Sequence, residues 1–241
     1  MLFLILILVL IVVFFRTPIG KGLLGEWIVR LIIGRTSSNP KKEQYVINNI
    51  IIQNSEWKSS QIDHVLINSA GIFVIETKNY SGRIYGQENQ LQWTQTLAYG
   101  KVKNKFYNPI KQNATHLIRL KELIKEDVPF YSLIVFVQGN TKYIQSGKVF
   151  NCFQIKQYIA QQAVFSWTSD DMKKIYSELS SIKNTATITN KEHIQNINTM
   201  LNDIENDICP RCGGILKIRK SAKGEFKGCS NYPKCKFTKK I

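Results

Sequence analysis

The chain has 241 residues and carries 33 Lys and Arg against 17 Asp and Glu, a formal net charge of +16 at pH 7. Hydrophobic residues make up 44% and aromatic residues 11% of the sequence, enough for a packed core, which excludes a disordered or collagen-like chain. The length allows one or two domains. A charge this positive indicates polyanionic partners, either nucleic acid or an anionic membrane surface, with a merely solvated basic surface as the alternative.

The first segment is apolar without interruption from residue 1 to residue 15 and ends at Arg16. As a helix it would rise about 22 Å, short of the roughly 30 Å hydrocarbon core, unless Arg16 snorkels and residues 17–20 are included. We therefore expect a membrane anchor over residues 1–20. A cleaved signal peptide would need a basic n-region and a small-residue cleavage site, and a buried core helix would need a polar face; the sequence has none of these.

Basic residues follow this segment and none precedes it, so the positive-inside rule predicts a single-pass protein of the cell membrane with its main body in the cytoplasm.

The body of the chain alternates between strand-like and helix-like patterns. Apolar and β-branched runs predict strands, and amphipathic runs predict helices. The predicted strands cover residues 45–52, 61–68, 72–78, 83–85, 91–94 and 133–138. The predicted helices cover residues 22–33, 108–125, 169–182 and 190–207, with a linker at 183–190. A turn at 69–71 makes a hairpin of the second and third strands.

Asp63 and the Glu76-x-Lys78 motif lie on the two strands of that hairpin. The period of two places Glu76 and Lys78 on one face at the end of their strand, where Asp63 can come alongside. Two carboxylates and a lysine suit metal-dependent phosphodiester cleavage, because Mg²⁺ prefers oxygen ligands and Lys78 can orient the attacking water or neutralise developing charge. The alternative is an ordinary solvated pair on a strand.

Several motifs in this region together resemble the NERD (nuclease-related) domain over residues 20–125. They are Gly22-Leu-Leu-Gly-Glu26, Gln61-Ile-Asp63-His64, Gly71-Ile-Phe-Val-Ile-Glu76-Thr-Lys78-Asn79, Gly82, Trp93 and Asn108-Pro109 with Gln112. The resemblance implies a restriction-endonuclease-like fold with a PD-(D/E)xK site. By that likeness Asp63 and Glu76 would bind Mg²⁺ or Mn²⁺, Lys78 would be the catalytic lysine, and Glu26 and Gln112 would support them.

Three nearby residues are expected to be structural. His64 should point away from Asp63, so we predict a packed or hydrogen-bonded core histidine. Trp93 is expected to anchor packing rather than stack on a base, and Cys152 lies in an apolar stretch typical of a buried thiol.

Near the C-terminus, Cys209-x2-Cys212 and Cys229-x5-Cys235 form a tetrathiolate pattern for structural Zn²⁺. Paired cysteines in a reducing cytoplasm favour a metal site over disulfides. From residue 209 to the end, ten basic residues stand against the single acid Glu225, a net +9.

This module closely resembles the C-terminal zinc ribbon of bacterial type I topoisomerases, a module that binds single-stranded DNA. Aromatic and basic side chains alternate along it, as base stacking and phosphate neutralisation require. We therefore predict a nucleic-acid-binding set: Arg219, Lys220, Lys223, Phe226, Lys227, Tyr232, Lys234, Lys236 and Phe237. A ribbon that binds protein instead is the alternative.

Taken together, these patterns predict an α/β protein with a restriction-endonuclease-like mixed sheet flanked by helices, an N-terminal transmembrane helix and a small C-terminal zinc ribbon. The predicted domains are an anchor (1–20), a NERD nuclease-like core (21–150), a helical extension and linker (151–208) and the four-cysteine zinc ribbon (209–241). The predicted function is a membrane-anchored, metal-dependent nuclease acting on DNA or RNA, with DNA as the expected partner. A non-catalytic DNA-binding membrane tether is the alternative. The sequence leaves the oligomeric state open.

Overall fold

A computed structural model of the chain describes residues 2–53, 59–185, 190–210, 212–221, 224–235 and 237–240. The chain divides into two compact units, described separately below. The first unit comprises Met1–Ile52 and Ser60–Thr185, and the second comprises Gln53–Ser59 and Ala186–Ile241.

Two helices open the first unit, α1 (Leu2–Arg16) and α2 (Pro18–Ile33). Thr17 separates them as the N-cap of α2, where its hydroxyl accepts a hydrogen bond from Gly20 N at 3.1 Å and Pro18 takes the first helical position. A Cβ on Gly20 would meet the carbonyl oxygen of Phe14, so the close approach of the two helices at this corner requires glycine.

Within the described residues, no single helix is long and apolar enough to cross a membrane. Only together do Ile5–Arg16 and Pro18–Ile33 meet that length and composition, as a pair whose axes are bent by 86°. The transmembrane helix expected over residues 1–20 is therefore not confirmed, because the helix stops at Arg16 and the chain turns.

The remaining elements of the first unit alternate strands and helices. In chain order they are β1 (Gln44–Gln53), β2 (Ser59–Asn68), β3 (Gly71–Lys78), β4 (Arg83–Gly86), β5 (Gln92–Leu97), β6 (Val102–Tyr107), α3 (Pro109–Leu123), β7 (Phe130–Phe136), β8 (Asn140–Ile144), β9 (Val149–Asn151), α4 (Ile155–Ala160) and α5 (Ser169–Thr185).

A five-stranded mixed sheet of order β1-β2-β3-β7-β9 forms the centre of the unit. β3 pairs antiparallel with β2 and parallel with β7, which places it in the interior of the sheet. Its alternate residues Ile72 and Val74 join a core with α3 and α5, while Phe73 and Ile75 join a core with α2 and α4. The sheet is therefore covered by helices on both faces. Near the end of β3, side chains of even-numbered residues face α3 and those of odd-numbered residues face α2.

A second sheet has the order β6-β5-β4-β8. One of its faces contributes Ile84, Trp93 and Ile144 to a hydrophobic cluster that also contains residues of α3 and β7 (Ile110, Ile134 and Phe136). Trp93 is fully buried there, and its Nε1 donates to the carbonyl of Gln87 at 2.9 Å. Trp93 thus packs as predicted.

The predicted strands and helices coincide with β1 to β5, β7, α2, α3, α5 and α6 (Asn190–Glu205), with shifted ends. The sequence analysis missed β6, β8, β9 and α4. Within the predicted helical extension and linker (151–208), Cys152, Ile155 and Ile175 lie in the cores of the first unit. The predicted linker at 183–190 falls partly outside the described residues.

The second unit contains α6 and a three-stranded antiparallel sheet. The strands are β10 (Leu216–Ser221), β11 (Gly224–Cys229) and β12 (Thr238–Lys240), in the order β10-β11-β12. Its core consists of Cys209, Leu216, Cys229 and Cys235, with Ile204 and Phe237 packed against them. A core this small needs a further source of stability, such as a metal ion.

Candidate active site and zinc centre

Glu76 and Lys78 lie at the C-terminal end of β3, on the face covered by α3. Lys78 Nζ donates to Glu76 Oε1 at 2.6 Å and to Gln112 Oε1 at 3.1 Å. The Glu76 side chain is 3% exposed and that of Lys78 is 16% exposed, so the pair is mostly buried and reaches solvent at the lysine. β3 and α3 therefore bring together three of the predicted site residues.

Asp63 lies on β2, one residue beyond the last paired position of the hairpin, His64 with Ile75. Its Oδ2 accepts a hydrogen bond from the backbone N of Thr77 at 2.8 Å, which holds the carboxyl beside the peptide that joins Glu76 to Thr77. The antiparallel register accounts for this placement. Continued by one residue beyond the His64–Ile75 pair, it places Asp63 opposite Glu76.

Glu26 reaches the same site from α2. Gly25 lets this helix approach closely, since a Cβ at that position would lie 2.8 Å from Asn79 Cβ and 3.5 Å from Thr77 Cγ2. Asn79 Nδ2 also donates to the carbonyl of Lys21 at 2.7 Å and ties the helix to the end of β3.

The four charged groups set one another's protonation. Burial, and then the charges of Glu76 and Glu26, raise the pKa of Asp63 well above its usual range. Burial and the Glu76 charge likewise raise the pKa of Glu26. Burial opposes ionisation of both Glu76 and Lys78. Lys78 and His116 together nevertheless lower the pKa of Glu76, and the charges of Glu76 and Asp63 raise the pKa of Lys78. The site thus holds more negative potential than its single lysine neutralises.

His116 and Ser60 are the residues that the sequence analysis missed. His116 Nε2 lies 3.3 Å from Glu76 Oε2, an ion-pair distance without hydrogen-bond alignment, and its Nδ1 lies 2.6 Å from Ser60 Oγ. Both residues are buried. His116 follows Gln112 by four residues on α3, so the two face β3 together, and this i,i+4 spacing was the signal available in the sequence.

The donor set at this site suits a hard divalent cation. Asp63 and Glu76 offer carboxylate oxygens, and Glu76 Oε2 is buried without a hydrogen-bond partner among the described residues. The carboxylates of this site are not clustered as closely as the ligands of a preformed metal site. In the described part of the chain, only the four cysteines place three or more potential metal-ligand atoms within 4.8 Å of one another.

The structural assignments of His64 and Cys152 agree with the geometry. His64 is buried, its Nδ1 lies 2.7 Å from Asn48 Oδ1, and burial followed by the charge of Arg30 lowers its pKa to about 4. Cys152 is 1% exposed, and burial raises the pKa of its thiol.

The four cysteines of the second unit form a compact metal centre. Cys209 Sγ lies 3.7 Å from Cys235 Sγ, and Cys212 Sγ lies 3.4 Å from Cys229 Sγ. Tetrahedral zinc with Zn–S bonds near 2.3 Å has S···S edges of about 3.8 Å, so these separations fit a Zn²⁺ ion. The backbone N–H of Gly214, followed by the neighbouring Cys229 thiol, lowers the pKa of Cys212 to about 6, which favours the thiolate that zinc binds.

All three predicted nucleic-acid-binding aromatic residues line one cleft of about 280 Å³ on this unit: Phe226, Tyr232 and Phe237. Arg219 lies beside them, with its guanidinium 6.0 Å from the centre of the Tyr232 ring and Nη2 donating to the carbonyl of Cys229 at 3.2 Å. The cleft therefore combines aromatic faces and a cation.

Three other predicted basic residues, Lys220, Lys227 and Lys234, do not line that cleft. Lys227 is 2.5 Å from Asp207, Lys220 is 3.5 Å from Glu225, and Lys234 is exposed. Lys223 and Lys236 lie outside the described residues.

Comparison with known families gives two matches. Residues 21–137 match the model of the nuclease-related domain (NERD), and residues 206–241 match that of the topoisomerase DNA-binding C4 zinc finger. The first match contains the acid–lysine site, and the second contains the four cysteines.

Individual relatives fall into the same two groups. An uncharacterised protein of Bacillus anthracis is 36% identical over 121 residues, which are 50% of this chain and 55% of the relative. DNA topoisomerase 1 of Methanocaldococcus jannaschii is 57% identical over 37 residues, 15% of this chain and 5% of the enzyme. The corresponding enzyme of Helicobacter pylori is 58% identical over 31 residues, 13% of this chain and 4% of the enzyme.

The chain thus spans about half the length of the first relative and a small part of the topoisomerases, and no solved structure matches it. The match of residues 21–137 to the nuclease-related domain and of residues 206–241 to the topoisomerase-type zinc finger confirms both resemblances seen in the sequence.

Proposed function

We propose that this protein is a membrane-anchored, metal-dependent nuclease that hydrolyses phosphodiester bonds in DNA or RNA, with a zinc ribbon that binds single-stranded nucleic acid. One observation carries the catalytic part of this proposal. Within the region that matches the nuclease-related domain, two strands and two helices bring Asp63, Glu76, Lys78, Gln112 and Glu26 to the end of a single strand. The order of these elements supports a restriction-endonuclease-like core.

In this proposal Asp63 and Glu76 hold Mg²⁺ or Mn²⁺, which supplies neutralisation of the phosphate charge when bound. The Lys78 ammonium orients the attacking water and stabilises the negative charge that develops on the phosphate oxygens. Gln112 fixes the Lys78 ammonium at 3.1 Å, and the His116 ring lies 3.3 Å from the second oxygen of Glu76. Glu26 adds a third carboxyl at the open edge.

The ribbon is proposed to bind the substrate strand. Phe226, Tyr232 and Phe237 give stacking surfaces for unpaired bases, and Arg219 gives a cation among them. The relatives that resemble this module are named as DNA topoisomerases, which supports nucleic acid as its ligand.

Membrane anchoring is proposed for α1. Its side chains from Ile5 to Phe15 are all exposed and apolar, and the outward face of α2 continues the apolar surface with Ile19, Leu23, Trp27 and Leu31. Arg16, at the end of α1, would reach the headgroups, and the basic residues after it favour a cytoplasmic body. Full-length protein should remain in the membrane pellet after alkaline washing, and a chain starting at Thr17 should be released or lost from it. Equal retention of both would refute α1 as the anchor.

The catalytic proposal is tested with the full chain in detergent and labelled single- and double-stranded DNA and RNA. We expect cleavage with Mg²⁺ or Mn²⁺ that falls at least a hundredfold in Lys78→Ala. Lys174→Ala is the matched control, because Lys174 also pairs with a glutamate (Glu126 at 2.8 Å) but lies outside the site. Cleavage that is equal in the wild type and both variants, or absent from all three, would refute the proposed nuclease activity.

The direct, mostly buried Lys78–Glu76 ion pair also suits the second candidate, a non-catalytic nucleic-acid tether. A tether predicts salt-sensitive binding that survives Glu76→Ala, together with no heat of Mn²⁺ binding in calorimetry. Mn²⁺ binding that Glu76→Ala abolishes would exclude it.

A further inference from the structure

The sheet formed by β4, β5, β6 and β8 has one face that the hydrophobic core does not cover. On its inner side Ile84, Trp93 and Gln95 are buried. The residues between them point outward, and the strand register aligns them in rows. One row contains Arg83, Thr96 and Lys103, and the next contains Tyr85, Thr94 and Lys105.

This outer face is positively charged. Arg83, Lys103 and Lys105 are all exposed. Between residues 79 and 107 the only acid in the sequence is Glu88, which already pairs with Lys148 at 3.3 Å and accepts from Ser146 Oγ at 2.5 Å. The three cations therefore present their charge to an external partner.

The same face carries exposed aromatic rings. Tyr85 and Tyr143 stack on each other with ring centres 4.7 Å apart and an interplanar angle of 19°, and each is 37% exposed. Tyr99 is fully exposed and has φ 54°, in the left-handed region that disfavours a bulky side chain. Core packing does not compensate this unfavourable conformation, because the Tyr99 ring is exposed. An exposed ring in this position is therefore available to contact a ligand.

A cavity of about 680 Å³ lies over this face. The turn of Ala98, Tyr99 and Gly100, all with positive φ, forms one wall, and Arg83, Tyr85 and Lys103 contribute to the rest. Its size is within the range of ligand-binding pockets.

The face starts close to the acid–lysine site. The chain leaves Lys78 at the end of β3 and enters β4 five residues later at Arg83. Hydrogen bonds from Val137 N to Lys78 O, 2.9 Å, and from Asn140 N to Gly82 O, 2.7 Å, fix this passage against the segment between β7 and β8.

We propose that this face binds a single strand of nucleic acid and leads it to the Asp63–Glu76–Lys78 site. The inference rests on the proposed nuclease function and adds a second binding surface to the ribbon. Arg83, Lys103 and Lys105 neutralise phosphates, and the tyrosines stack on bases, which requires that the bases be unpaired.

The test measures fluorescence anisotropy of labelled oligothymidine and oligouridine, each of about 20 nucleotides, with the full chain in detergent and no added divalent cation. The variant is Arg83→Gln/Lys103→Gln/Lys105→Gln. The matched control is Lys125→Gln/Lys156→Gln/Lys173→Gln, which removes the same charge from exposed positions outside this sheet. Salt titration should show that the first triple variant loses about 2 from the slope of log K against log [salt], because each contact contributes about 0.7 for single strands. The control should keep the wild-type slope.

A second variant, Tyr99→Asn, guards against misfolding of the first, since asparagine tolerates the left-handed conformation. It should weaken binding about fivefold or more without changing the slope. Comparing the two oligonucleotides shows whether the strand is DNA or RNA. If both variants bind like the control while the wild type binds well, the ribbon alone binds nucleic acid, and this inference is wrong while the proposed function stands. If the wild type binds neither oligonucleotide, both are wrong.

Discussion

Two glycines of α2 offer a controlled perturbation of the site. Gly22 and Gly25 belong to the same helix, so Gly→Ala at either position should gain about 1 kcal/mol of intrinsic helix stability. A Cβ on Gly22 has no atom within 4 Å, whereas a Cβ on Gly25 would lie 2.8 Å from Asn79 Cβ. Ordinary contact begins at 3.4 Å, so α2 must move away from β3 by about 0.6 Å.

That movement costs about 1–3 kcal/mol, as overpacking usually does, and stretches the Asn79–Lys21 hydrogen bond. Gly22→Ala should therefore raise the melting temperature, and Gly25→Ala should melt lower than Gly22→Ala by roughly 2–12 °C, at about 2–4 °C per kcal/mol. Because Glu26 follows Gly25, nuclease activity should fall about tenfold in Gly25→Ala alone.

The assay is thermal unfolding followed by circular dichroism in one detergent, with cleavage measured on the same preparations. If both variants melted at the same temperature, the close approach of α2 to Asn79 would be refuted. A loss of activity in Gly22→Ala equal to that in Gly25→Ala would refute the role of this approach in placing Glu26.

Three further outcomes are expected. The pKa of His64, about 4 in the folded state against 6.5 for a free histidine, means that the unfolded chain takes up the proton first as the pH falls. The contribution of His64 to the free energy of unfolding should therefore drop by about 2 kcal/mol between pH 7.5 and pH 5, measured in urea titrations as the difference between the wild type and His64→Gln. The same pH dependence in both proteins would contradict this. Asp63→Asn should raise the melting temperature at neutral pH by a few degrees while abolishing cleavage, because the raised pKa of Asp63 makes its ionised form destabilising in the fold; a lower melting temperature would show that reasoning wrong. Elemental analysis should find one zinc per chain, and Cys235→Ser or a chelator should remove it and collapse the amide dispersion of the β10–β11 hairpin in NMR spectra. A ribbon that keeps its dispersion without metal would refute the structural zinc.

The sequence predicts those elements whose hydrophobic pattern is determined by residues close together in the chain, and it misses elements that depend on long-range pairing. The β2–β3 hairpin could be predicted because its apolar residues continue to a turn and both strands are buried. The alternation of side chains along a strand was enough to place Glu76 and Lys78 on the same face. β6, by contrast, has four exposed residues at its start and becomes a strand only through its register with β5, a long-range cause that no local pattern shows. The start of α2 was readable in principle, since Thr17 followed by Pro18 is a cap and first-turn pair.

The site shows the same division. The acidic residues and Lys78 belong to a recognisable sequence motif. His116 and Ser60 belong to the site only because α3 crosses β3 at one particular position along the strand. Gly25 appeared in the quoted motif without a reason, and the structure gives one, the close contact with Asn79.

The corner at Thr17 leaves no spacer between α1 and the folded unit. A unit of this size has a radius of gyration of about 15 Å, so on the proposed membrane placement every group of the unit lies within a few tens of ångströms of the lipid headgroups. Anionic headgroups repel nucleic acid over a Debye length of about 8 Å at physiological salt. A substrate strand would therefore have to be drawn towards a like-charged surface, and its rate of capture should depend on lipid composition as well as on the protein.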